Sequence, residues 1–114
     1  MAATDQCYGW IEVNKSFYTT FNGRRFYCSI PELYLGNQEA KMRVRYSDGD
    51  EEKYYLNSSD GVQYSGTMGT DDDSRVDFEL WKHSQTIVLA GNWKCGGREG
   101  EWYIEGSPKI NRFG

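Results

Sequence analysis

From Met42 to Ile104 apolar side chains recur at every second position. They are Met42, Val44 and Tyr46, then Tyr54 and Leu56, Val62, Tyr64 and Met68, Val76, Phe78 and Leu80, Ile87, Leu89 and Trp93, and finally Trp102 and Ile104. The alternation breaks mostly where Gly, Asp, Asn and Ser gather, as in SDGD, NSSDG and GTDDD. A period of two is that of a strand with one face in apolar surroundings and the other in water, and it does not fit an amphipathic helix. Gly66 and Gly91 hold two of the apolar-face positions, where the missing Cβ lets a neighbouring backbone approach or a strand bend. The short breaks predict hairpins.

Registers follow from matching faces across each turn. With Gly96, Gly97, Arg98 and Glu99 as a four-residue loop, Trp93 falls opposite Trp102 and Lys94 opposite Glu101, so an aromatic pair and an ion pair favour one alignment. A turn over 82–85 sets Leu80 opposite Ile87 and Phe78 opposite Leu89. One over 69–73 brings Tyr64 beside Phe78 and Gly66 beside Val76, and one over 57–61 pairs Leu56 with Val62. A three-residue turn at Asp48-Gly49 aligns Val44 with Tyr54. Upstream, Asn22-Gly23 predicts a type I′ turn, with Phe17, Thr19 and Phe21 on the face of Phe26, Cys28 and Ile30. Residues 8–13 form one further short strand. The stretch PELYLGNQEA, 31–40, shows no alternation and is expected to be the longest connection, with a helical turn or a crossover between sheets.

The fold class expected is all-β, a single small antiparallel barrel of eight or nine strands in a mostly up-and-down meander. A two-sheet β-sandwich is the alternative. Nearest-neighbour hairpins leave few places for Greek-key crossovers, which favours the barrel. A chain of 114 residues suits one domain, 1–114, burying roughly two-thirds of its extended surface, with 107–114 as a loosely ordered tail.

A formal charge of -4 argues against a nucleic-acid partner. The densest basic run, Lys41, Arg43 and Arg45, alternates with apolar residues and reads as one strand's solvent face. No run approaches the roughly 18 apolar residues of a membrane span, and Met1–Cys7 lacks the regions of a signal peptide. The expectation is a soluble chain without membrane association, its compartment unassigned, and secreted if a leader has been removed. In that case Asn14-Lys15-Ser16 and Asn57-Ser58-Ser59 would be glycosylation acceptors.

Cys7, Cys28 and Cys95 leave at least one thiol unpaired within the chain; Cys28 and Cys95 read as small buried residues, with a disulfide as the alternative. Neither their spacing nor the single His83 suits zinc, and no cofactor is implied. His83 and Ser84 are adjacent in a turn, which does not make a triad. The carboxylate groups Asp48, Asp50, Glu51, Glu52 and Asp71, Asp72, Asp73 also sit at turns, where they stay hydrated and ionised and lack the spacing of a calcium loop. A non-catalytic protein is expected.

Tyr18, Tyr27, Tyr55, Trp81 and Tyr103 fall on the side opposite the apolar face. Exposed planar rings beside polar groups suit stacking on sugars, so the first expectation is a lectin-like carbohydrate-binding module. Its candidate site is Trp81, Tyr103, Tyr55, Asn92, Tyr27 and Arg25, with Glu105 as a further hydroxyl partner. The alternative places a small apolar ligand inside the barrel against Trp93, Trp102, Phe78, Tyr64 and Tyr54, although such bulky residues would by default fill the interior. A third reading is a protein-interaction module, such as an inhibitor or immunity protein, using its acidic turns, and the outward rings also suit a homodimer.

Overall fold

Each connection in the chain is short enough to set one strand beside the next. In a computed structural model, which describes residues 9–68 and 71–109, these hairpins run once around and close. The strands are β1 (Gly9–Thr19), β2 (Arg25–Leu35), β3 (Glu39–Tyr46), β4 (Glu51–Asn57), β5 (Gln63–Met68), β6 (Asp71–His83), β7 (Thr86–Cys95) and β8 (Arg98–Pro108). Every neighbouring pair is antiparallel, and β8 pairs back onto β1 from Ile11↔Pro108 to Tyr18↔Trp102, completing an eight-stranded barrel. Among the described residues no helix is long and apolar enough to cross a membrane.

The inward faces are those the alternation predicts for β3 to β8, but most registers slide by an even number of residues. Gly96 and Gly97 both take positive φ, 59° and 82°, so the β7–β8 turn has two residues and Cys95 pairs with Arg98. Trp93 therefore lies opposite Gly100, Trp102 opposite Gly91, and Lys94 opposite Glu99, not in the Trp93–Trp102 and Lys94–Glu101 pairs expected. Each indole faces a glycine across the ladder, where a bulky ring has room and covers bare backbone. Likewise Ser84 at φ 59° tightens the β6–β7 turn and sets Leu80 opposite Leu89. The β3–β4 turn has the expected three residues, closed by Tyr46 N–H to the Asp50 carbonyl at 2.9 Å, yet it pairs Met42 with Tyr54 and Val44 with Glu52.

Between β4 and β5, Asp60 Oδ1 accepts the backbone N–H groups of Val62 and Gln63, each at 2.9 Å. These bonds hold its carboxyl below the usual range and exclude Val62 from the strand. Leu56 then pairs with Gly66 and Tyr54 with Met68. The β5–β6 pairing Tyr64↔Phe78 and Gly66↔Val76 is as expected, while residues 69 and 70 of its turn lie outside the described residues.

The first hairpin departs by one residue, and that changes faces. Asn22 does not share positive φ with Gly23; its Oδ1 accepts the Arg24 N–H at 3.2 Å, and Thr20 N–H donates to the Arg24 carbonyl at 3.0 Å. The loop therefore has three residues, with only Gly23 left-handed, at φ 83°. Tyr18 pairs with Phe26 and turns inward, whereas Phe17 pairs with Tyr27 and turns outward. Phe21, at the loop tip, is 82% exposed.

The expected long connection at 31–40 is strand. β2 runs through Pro31 to Leu35, and a register shift between Ser29 and Glu32 inserts one residue at the proline, which has no N–H for the ladder. Ile30 and Leu33 are both buried across this bulge, which is why alternation is not visible there. The expected strand at 8–13, of which residue 8 lies outside the described residues, and the strand carrying Phe17 and Thr19 are one element, β1, with its own bulge between Val13 and Lys15. Of the tail expected over 107–114, Ser107 and Pro108 belong to β8, and 110–114 lie outside the described residues, as does Cys7.

The core fills the end of the barrel that holds the β2–β3, β4–β5 and β6–β7 turns. Leu33, Leu35, Leu56, Ile87, Leu89 and Ile104 are buried there with Tyr64, whose hydroxyl donates to the Gly36 carbonyl at 2.5 Å. The basic run of β3 is external: Arg43 contacts Glu32 and Glu51, and Arg45 contacts Glu51 at 2.7 Å.

Candidate functional site

At the opposite end the interior is open. Between the β1–β2, β3–β4 and β7–β8 turns lies a cavity of about 570 Å³, within the range of small-molecule pockets. Seven rings line it, Tyr18, Phe21, Phe26, Tyr46, Tyr54, Trp93 and Trp102, together with Met68, Val76, Ser74 and Cys95. A filled interior, the default for such bulky residues, is found only at the other end.

Topology explains the division. The rings of the open end come from β1, β2, β3, β4, β7 and β8, and several of them pack against one another. Tyr18 is the hub: its centroid lies 5.9 Å from Trp93 at 86°, 6.1 Å from Tyr46 at 85° and 6.0 Å from Trp102 at 60°. These edge-to-face arrangements suit ring quadrupoles. Trp102 forms the boundary with the packed half, meeting Phe78 at 5.7 Å and Tyr54 at 5.4 Å.

The polar atoms of the indoles are used by the wall. Trp93 Nε1–H donates to the Thr19 carbonyl at 3.0 Å, and Trp102 Nε1–H to Ser16 Oγ at 3.1 Å. Ser16 also shares a hydrogen bond with the Cys28 sulfur, 3.1 Å away. Burial pushes the Cys28 thiol up from its ordinary range, so it stays protonated and poorly nucleophilic at neutral pH. Cys28 and Cys95 are both free and half-buried.

Two phenols meet on the cavity wall, with Tyr46 and Tyr54 hydroxyl oxygens 2.5 Å apart. Burial first, and hydrogen bonding with Tyr54 second, raise the Tyr46 pKa far above its usual value; burial pushes that of Tyr54 up to about 12. Burial also raises Tyr18. All three rings are neutral at physiological pH. The lining also carries charged residues, Arg24, Arg75, Lys94 and Arg98 with Asp50, Glu52 and Glu99.

Of the interior residues expected from sequence, Trp93, Trp102 and Tyr54 line this cavity. Phe78 and Tyr64, each 1% exposed, lie in the packed core beneath it. Tyr18, Phe26, Tyr46, Met68 and Ser74 were not among the expected residues. Tyr46 continues the Met42–Val44 alternation and was legible as inward, whereas Tyr18 was hidden by the turn type.

The outward set divides differently. Arg25, Tyr27 and Tyr103 come together around Phe17: Tyr103 stacks on it at 5.3 Å, Tyr27 meets it edge-on at 5.8 Å, and the Arg25 guanidinium carbon lies 4.3 Å from its ring centre. Tyr55 and Trp81 are exposed on β4 and β6, and Asn92 lies on β7 between Asp77 and Glu101. A closed barrel turns its outer surface through a full circle, so Tyr27, Tyr55, Trp81 and Tyr103, on β2, β4, β6 and β8, do not form one platform. Where rings do meet, around Phe17, they pack against each other.

No family model and no curated protein matches the chain. Among solved structures, it is similar to a de novo designed fluorescence-activating β-barrel, with a TM-score of 0.53 and 16% sequence identity over 96% of this chain and 99% of that one. The likeness is one of fold. It extends over nearly the whole of both chains, as expected for a single barrel.

Proposed function

We propose that this protein is a non-catalytic barrel that binds a small apolar molecule in its open interior. The observation that carries this reading is the division of the barrel: one end is packed, and the other holds an aromatic-walled space of about 570 Å³. Burying an apolar ligand there removes its surface and that of the rings from water, at roughly 25 cal/mol per Å². The fold-level likeness to a designed fluorescence-activating barrel fits this reading and lends nothing to a carbohydrate site. The scattered outer rings also count against sugar binding.

The test is titration with N-phenyl-1-naphthylamine, an apolar dye that brightens when it leaves water. Saturable brightening at one dye per chain, with quenching of tryptophan emission, is expected. Trp93→Ala, which removes a half-buried wall without touching the packed half, should weaken the dye by about tenfold, the loss expected for a stacked ring. Non-saturable brightening, or affinity unchanged in Trp93→Ala, would sink the proposal.

A further inference from the structure

We propose that the cavity prefers flat aromatic ligands bearing a neutral carbonyl oxygen, received by the paired hydroxyls of Tyr46 and Tyr54. The inference rests on the interior being the ligand site and deepens that reading. Two hydroxyls bring two hydrogens, but a pair with oxygens 2.5 Å apart places only one hydrogen between them. The accepting hydroxyl keeps its own hydrogen, which meets no further acceptor among the described residues. That hydrogen belongs to a wall shared with Met68, Val76 and Trp102, with Tyr54 only 6% exposed. A donor in such surroundings favours an occupant that supplies an acceptor.

The choice of a neutral acceptor follows from the neighbours. Glu52 stands at the same part of the wall, and its charge acts on Tyr54 in the sense that disfavours a second negative group nearby. A carboxylate or phenolate at the hydroxyl pair would also lose its hydration, which a carbonyl loses at far smaller cost. Because both phenols keep their protons well beyond neutral pH, they serve as donors throughout the physiological range. Flatness follows from the perpendicular rings: Tyr54 and Trp102 meet at 84° and Tyr18 and Trp93 at 86°, so a planar body can lie on one ring while presenting its edge to the next.

Fluorenone and fluorene separate the carbonyl from everything else, since they share a planar tricyclic frame and differ in C=O against CH₂. Each would be used to displace N-phenyl-1-naphthylamine from the wild-type protein and from Tyr46→Phe, Tyr54→Phe and the double variant. In the wild type, fluorenone is expected to compete about tenfold more strongly than fluorene. Each single variant retains one hydroxyl and part of the preference. The double variant binds both compounds equally, with fluorene no weaker than before. Equal competition in the wild type, or a preference that survives loss of both hydroxyls, overturns the carbonyl assignment while leaving the interior site standing. If the dye itself does not bind, the interior reading falls and takes this inference with it. The wild-type comparison needs no variant to fold.

Discussion

Replacing Gly91 with alanine is expected to destabilise the barrel by about 3 kcal/mol, a large part of the roughly 5–15 kcal/mol that holds a domain together. An alanine Cβ at this position would stand 1.7 Å from the Asp77 carbonyl oxygen and 2.8 Å from Phe78 Cα. Both obstacles are backbone, so neither can swing aside, and β7 would have to lift away from β6. Gly66 is placed alike against β4, where an added Cβ would stand 1.8 Å from the Tyr55 carbonyl oxygen, and Gly100 against β1, where it would stand 1.8 Å from the Thr19 carbonyl oxygen. These glycines are where the strands fold sharply enough to close a small barrel. Gly49→Ala is the control. Its φ of 94° is unfavourable for a side chain, but nothing lies within 4 Å, so about 1 kcal/mol is expected. Urea unfolding followed by circular dichroism gives both values; equal losses at 91 and 49 would mean that β7 does not bend there.

Trp102→Ala should be equally damaging, at about 3–5 kcal/mol, the usual range for deleting a large buried ring. The indole is 4% exposed, packs on Tyr54, Phe78 and Tyr18, and separates the filled half from the open half. Deleting it joins the cavity to a new void above Phe78. Trp102→Phe keeps most of the packing but removes the N–H donated to Ser16, so a loss of about 1–2 kcal/mol is expected. Trp93→Ala should destabilise less than Trp102→Ala, because Trp93 is only half-buried, while weakening ligand binding more clearly. Thermal unfolding of the three variants orders them. A Trp102→Ala protein as stable as Trp93→Ala would mean that Trp102 does not support the core.

How much of this was legible depended on which constraint a residue carried. Alternation assigned Ile87, Leu89, Trp93, Trp102 and Ile104 to one face correctly, because a side chain's face depends only on the parity of its position. The same parity leaves register open by steps of two. That is why Trp93 was expected opposite Trp102 and is found opposite Gly100, on the predicted face but slid by two residues. Only turn geometry resolves such steps, and Gly96-Gly97 supplied it in a form that a four-residue loop concealed. At Asn22-Gly23 the ambiguity was one residue, because the Asn22 side chain caps Arg24 instead of the backbone taking a second positive φ. One residue changes the face, so Tyr18, the hub of the cavity, was read as an outward sugar-stacking ring. Gly66 and Gly91 were recognised as points of close approach, whereas the bulge at Pro31 hid a strand by breaking its alternation. Whether bulky inward residues fill a barrel or lean aside and leave a space depends on the third dimension of their contacts, which no pattern along the chain records.

We propose above that the aromatic space at one end of the barrel takes up a small apolar molecule. The four indole N–H resonances of the ¹⁵N-labelled protein test it directly, because Trp93 and Trp102 line that space while Trp10 and Trp81 are exposed on the outer wall at 52% and 57%. Saturation with fluorene should shift the signals of Trp93 and Trp102 and leave the other two in place. Shifts confined to Trp10 or Trp81, or four unchanged resonances at saturating ligand, would contradict it.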